Sequence, residues 1–96
     1  MDLQERFEAV SDEEFLKFDR VKVRFSERPD LHAFIMLDKL LPDPDRDIVA
    51  GAGRDIIYLS VDAEKLNAVI TDEQVIELSR CGIIYDLDGE GLASFV

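Results

Sequence analysis

Apolar positions recur along this chain with two periods, three to four residues in some stretches and two in others, and the change of period marks the elements. Val10-Ser11-Asp12-Glu13-Glu14-Phe15 has the form of a helix start. Ser11 is placed to cap, Glu14 follows three residues on, and Val10 and Phe15 are spaced as a hydrophobic staple. Phe15 and Phe18 then share one face of a short helix ending near Asp19, while Leu3 and Phe7 mark an earlier helical turn within residues 2–9. Arg20-Val21-Lys22-Val23-Arg24-Phe25 alternates without a break, which predicts a strand with Val21, Val23 and Phe25 on one face and three cations on the other. Pro29 or Asp30 opens the next helix. Leu31, Phe34, Ile35, Leu37, Leu40 and Leu41 give it a wide apolar stripe, as expected of the main core helix, and Pro42 ends it.

Residues 42–47, with two prolines, form a loop. The short apolar runs Ile48-Val49-Ala50 and Ile56-Ile57-Tyr58-Leu59 follow, separated by Gly51-Ala52-Gly53-Arg54. This predicts a hairpin whose glycines supply positive φ. Asp62 caps a short helix through Leu66, Val69 and Ile70. Thr71 and Gln74 make a capping box for a further helix carrying Val75, Ile76 and Leu78, with Arg80 in its last turn and Gly82 beyond its end. Ile83-Ile84-Tyr85 and Leu92-Ala93-Ser94-Phe95-Val96 flank an acidic turn and read as a closing hairpin. The architecture expected is one α+β domain over residues 1–96, a mainly antiparallel sheet of about five short strands with three or four helices packed on one face.

Composition sharpens this picture. The 96 residues carry 22 Asp and Glu against 11 Lys and Arg, a net charge of −11. Such a balance repels nucleic acid and anionic membrane and suits a basic or neutral protein partner. Residues 61–96 hold 8 acids and only 2 bases, whereas cations gather at Lys17, Arg20, Lys22, Arg24 and Arg28. No apolar run approaches the roughly 20 residues of a membrane span. The acidic N-terminus is unlike a secretory signal, and a single cysteine forms no internal disulfide. A cytoplasmic location is the expectation.

Candidate chemistry is sparse. Asp86, Asp88, Glu90 and Gly91 match positions 1, 3, 5 and 6 of a calcium-binding loop, but the sequence lacks the bidentate acid at position 12, so an acidic turn between strands is the better reading. Gly51-Ala52-Gly53-Arg54 lacks the remaining residues of a dinucleotide fingerprint or a P-loop and reads as a hairpin turn. His32 and Cys81 are the only candidates for nucleophilic chemistry. A solvated or capping role suits His32, and a small core or boundary role suits Cys81, whose helix-end position raises a thiol pKa. One His and one Cys make no transition-metal set. Paired acids are abundant, with none marked as enclosed. No catalytic residue, metal or cofactor is expected.

The C-terminal half, with Asp55-Ile56-Ile57-Tyr58-Leu59, Thr71-Asp72-Glu73-Gln74, Arg80-Cys81-Gly82-Ile83-Ile84-Tyr85-Asp86 and Leu92-Ala93-Ser94-Phe95-Val96, resembles small uncharacterised acidic proteins encoded by bacteriophages and prophages. The resemblance implies a small cytoplasmic accessory or host-directed protein and carries no functional residues with it. The expected function is non-enzymatic binding of another, basic protein through an acidic face at Asp72, Glu73, Glu77, Asp86, Asp88 and Glu90. A phosphate-backbone mimic that inhibits a nucleic-acid-binding machine is the first alternative, weakened by interleaved bases. A small-ligand or enzymatic domain without a recognisable motif is the second. Self-association through an exposed C-terminal strand edge, Leu92 to Val96, is compatible with all three.

Overall fold

A computed structural model describes residues 1–45, 47–86 and 91–95. The chain opens on α1 (Leu3–Glu14), earlier than the Ser11 start expected from sequence. Asp2 accepts from the Glu5 backbone N–H and Glu5 reaches back to Asp2, a complete capping box. Leu3 and Phe7, one turn apart, bury the inner face. Ser11 and Glu14 therefore belong to the last turn. Phe15 closes the helix, and Leu16 leaves it at φ 63° while its N–H bonds the Ser79 carbonyl.

Arg20–Phe25 forms no strand, contrary to its alternation. Phe18–Arg20 is a single 3-10 turn, Val21 is buried, and Val23 is 81 % exposed. The cause is competition for the backbone. Arg24 folds back to donate to the Val21 and Phe18 carbonyls at 2.7 and 3.1 Å, and the Phe25 N–H donates to His32 Nδ1 at 3.0 Å. Those bonds fold the segment back on itself and take the Val21 carbonyl and the Phe25 N–H away from a ladder.

Helix α2 (Pro29–Leu40) begins at Pro29 as expected, but its buried face is His32, Ala33, Met36 and Leu37, and Leu31 is exposed. The strands β1 (Val49–Gly53) and β2 (Ile56–Leu59) pair antiparallel around Arg54 and Asp55. The positive φ falls on Asp55, at 66°, and both glycines lie within β1. Gly53 lies close to its hairpin partner, where a Cβ would stand 3.1 Å from Ile56 Cγ2. Helix α3 (Ala63–Val69) is capped by Asp62. Helix α4 (Asp72–Arg80) carries the expected Thr71–Gln74 capping box. Gly82, at φ 91° and with Leu16 Cδ2 2.9 Å from where a Cβ would stand, turns the chain into β3 (Ile83–Asp86), which pairs antiparallel with β4 (Gly91–Phe95).

Among the described residues the sheet has four strands in the order β1-β2-β4-β3, every pairing antiparallel, so the class is α+β as expected, with four helices and one strand fewer than expected. The C-terminal strand lies between β2 and β3, so it is not the open edge expected from sequence; the edges of the sheet are β1 and β3. One cluster, including Phe7, Leu37, Leu59, Leu66, Leu78, Ile83 and Leu92, joins all four helices to the sheet. Two arginines tie the helices together. Arg6, 14 % exposed, donates to the Asn67 and Ile70 carbonyls at 3.1 and 2.8 Å and to Asp72 Oδ1 at 3.0 Å, fastening the α3–α4 link to α1. At the other end Arg80 meets Glu14 at 2.5 Å, with Arg20 on the second carboxylate oxygen at 3.2 Å. The Arg80 hydrogen bond above all, opposed by desolvation and aided by both arginine charges, holds the Glu14 carboxyl below its usual range.

Candidate protein-binding site

Between α2 and α4 lies a cleft of about 390 Å³ lined by Phe25, Met36, Lys39, Leu40, Gln74 and Glu77. Each wall follows from local sequence. Met36 and Leu40, four apart on α2, form an apolar stripe, and Gln74 and Glu77, three apart on α4, face it with polar groups. The third wall is Phe25, 48 % exposed and held over the cleft by the residue beneath it.

That residue is His32, which is wholly buried, not solvated as its sequence position suggested. Its Nδ1 accepts the Phe25 N–H, so the ring proton sits on Nε2, which donates to Glu77 Oε2 at 3.0 Å. The Phe25 ring stacks on the imidazole at 5.2 Å and Phe18 meets it edge-on at 5.8 Å. Cations cap both aromatics: Arg24 stands 4.5 Å from the Phe18 centroid and Lys39 5.1 Å from that of Phe25. A single buried imidazole thereby joins α2, α4 and the irregular 20–28 segment.

Of the acidic residues expected to form a face, α4 brings Asp72, Glu73 and Glu77 together. Asp72 is 89 % exposed yet ion-paired with Arg6. Glu73 is exposed and forms no ion pair among the described residues. Glu77 is one-third exposed, with one oxygen on His32. Glu73 and Glu77 lie one turn apart, so their carboxylates share a stripe beside the cleft. Asp86 is the last residue of β3, placed in the sheet rather than on that stripe, and Asp88 and Glu90 lie outside the described residues.

The cleft combines an apolar floor, an aromatic wall and carboxylate at one side. The Lys39 ammonium, 5.1 Å from the Phe25 centroid, adds a cation to the same lining. The two residues capable of nucleophilic chemistry are otherwise engaged. His32 has both nitrogens bonded, and Cys81 is buried, its thiol pushed up to about 12 by burial first and by the Glu77 charge second. Among the described residues no group of three or more His, Cys, Asp or Glu is placed to hold a metal, and no helix is long and apolar enough to cross a membrane.

Phe25, Met36, Lys39, Leu40 and Gln74 escaped the sequence reading because the cleft exists only once α2 and α4 are side by side. The available signal was Met36 and Leu40 at helical spacing, ending next to Lys39. Comparison with protein-family models, curated proteins and solved structures returned no match.

Proposed function

We propose that this chain is a small non-enzymatic acidic protein that binds another, basic protein through the α2–α4 cleft and the carboxylates of α4. The reading rests on one observation: exposed Phe25 and an apolar floor lie beside Glu77, with Glu73 one turn away on the same helix. An apolar anchor supplies contact area and the carboxylates supply charge selection, a division typical of protein recognition. A net charge of −11 draws a basic partner over long range and speeds the encounter. The resemblance to phage and prophage proteins fits a cytoplasmic accessory or host-directed role, in which the partner is a host protein. Asp72 contributes less than its exposure suggests, since Arg6 neutralises it.

The test is capture from a bacterial lysate at low and high salt, comparing the wild type with Phe25→Ser and with the Glu73→Gln/Glu77→Gln pair. The amide introduced by Glu77→Gln still offers an oxygen to His32, so that pair removes charge while keeping the His32 contact. A stoichiometric basic protein held by the wild type, released by salt and lost by both variants is the expected result. Equal capture by all three proteins, or no captured partner, overturns the proposal.

A further inference from the structure

His32 is a titratable ring with no exposed surface, and both of its nitrogens are taken. Nε2–H donates to Glu77, and Nδ1 accepts the Phe25 N–H at 3.0 Å. A second ring proton has only Nδ1 to occupy, where it would face a backbone donor that cannot become an acceptor. The imidazolium and the Phe25 bond therefore exclude each other. That bond is also the tether of its segment. The other hydrogen bonds described for residues 22–27 stay within residues 18–28, where Arg24 reaches the Val21 and Phe18 carbonyls and Glu27, and the Arg28 N–H reaches Ser26. Residues 22–28 form no helix or strand, and Val23 and Phe25 are exposed. A segment so held opens locally at far lower cost than the core.

We propose that His32 is a pH-sensitive latch on the α2–α4 cleft: its neutral ring holds Phe25 in place as the aromatic wall, and its protonation releases the 22–28 segment and takes that wall away. The regulation rests on the cleft's being the binding site, whereas the latch itself stands on the geometry of the ring. Phe25 is bound to His32 twice, by its N–H and by its ring, which stacks on the imidazole at 5.2 Å. Opening at Nδ1 therefore loosens the backbone and the side chain of the same residue. Glu77 stays with the opened ring, because the Nε2–H bond does not involve the proton that is added.

The groups around the ring set the direction. From α4, Glu77 draws a proton towards it, and Cys81, one turn further on, is a neutral thiol at any pH well below 12. From the segment, Arg24 stands over Phe18 at 4.5 Å with its other end on Glu27 at 2.8 Å. From α2, Lys39 stands over Phe25 at 5.1 Å, and at the helix head Asp30 pairs with Arg28 in solvent. The 18–20 turn offers the uncharged Phe18 ring, and its Arg20 is taken by Glu14. The two rings able to stabilise an imidazolium thus already carry cations, and no water reaches the closed site. The open state binds one proton more than the closed one. The closed state's advantage is therefore full above the ordinary imidazole value of about 6.5 and falls about tenfold for each pH unit below it. Carboxylates ordinarily keep their charge down to about pH 4.3, which leaves a window in which the latch titrates and the charge of α4 does not.

Amide hydrogen exchange read by NMR between about pH 7.5 and about pH 5, in the free protein with and without a little urea, tests this in the wild type, His32→Asn and Glu77→Gln. His32→Asn offers Phe25 an amide oxygen that does not titrate, and Glu77→Gln removes the charge that favours the imidazolium. The expected wild-type protection of the Phe25 amide, corrected for the intrinsic pH dependence of exchange, is level above about pH 6.5 and falls about tenfold per unit below it. Exchange at Phe25 should ignore low urea, as a local opening does, while exchange at buried Leu78 in α4 rises with it. The fall should vanish in His32→Asn and move to lower pH in Glu77→Gln. Level protection across the range, a urea response at Phe25 as steep as at Leu78, the same fall in His32→Asn, or a fall unmoved by Glu77→Gln overturns the proposal. Should His32→Asn not fold, Glu77→Gln and the urea response decide. No partner is present in these measurements, so a cleft that binds nothing leaves the latch standing, and a failed latch leaves capture at neutral pH standing.

Discussion

Replacing His32 by leucine keeps an apolar side chain of similar bulk in a wholly buried position and removes both ring nitrogens. Two bonds are lost: Phe25 N–H to Nδ1, and Nε2–H to Glu77, each 3.0 Å. A neutral bond of this kind contributes about 0.5–1.5 kcal/mol and one to an ionised acceptor about 1.5–3 kcal/mol. Glu77 keeps access to water, which lowers its share. Phe25 N–H is half-buried and loses its acceptor. The expected cost is about 2–3 kcal/mol, against a total near 5–14 kcal/mol for a domain of this length. Urea unfolding followed by circular dichroism reads it as a midpoint lowered by roughly 1–2 M at an unchanged slope. Amide exchange supplies the local readout, because Phe25 should lose protection beyond what the global destabilisation explains. A cost under about 0.5 kcal/mol, with Phe25 as protected as in the wild type, refutes the role given to His32.

Arg6→Lys keeps the charge but not the fork that reaches two carbonyls, and should cost about 2–3 kcal/mol in chemical unfolding, whereas Asp72→Asn should cost under about 1 kcal/mol; equal costs would show the ion pair, not the carbonyl clamp, to matter. Ser79→Ala should raise thermal stability, by about 0.5–1.5 kcal/mol, because the Ser79 hydroxyl is buried without a hydrogen-bond partner among the described residues and alanine is the better helix former; a lower melting temperature contradicts this. The Cys81 thiol should resist alkylation in the native protein at neutral pH. Its folded pKa is raised to about 12, so the protonated thiol's contribution is intact below the unfolded pKa near 9 and lost as pH rises toward 12, by about 1.4 kcal/mol per unit. Stability of Cys81→Ala measured from pH 8 upward should lack that slope, and an identical slope would remove Cys81 as its source.

What could be read from sequence was what short-range chemistry decides. The Thr71–Gln74 box, the Asp62 cap, Pro29 at the head of α2 and the stop at Gly82 each rest on groups within a few residues of one another, and all stand in the structure. The start of α1 was misplaced because two capping boxes compete, and burial of Leu3 and Phe7 favours the earlier. The Arg20–Phe25 alternation carried a genuine strand signal, defeated by other partners for its backbone: Arg24 turned back on its own segment and His32 took the Phe25 N–H. His32 itself read as an outer residue because nothing local announces Glu77, forty-five positions away. The acidic stripe of α4 was visible as composition, but Arg6 and His32, which decide which of its carboxylates remain available, come from other helices.

The measurement that bears most directly on the function is the dissociation constant for the captured partner as a function of salt, in the wild type and in the Glu73→Gln/Glu77→Gln variant. The expected outcome is tight binding that weakens steeply as salt rises in the wild type, and weaker binding with a shallower salt dependence in the variant. Identical constants and identical salt dependence in the two proteins would contradict a binding site built on the carboxylates of α4.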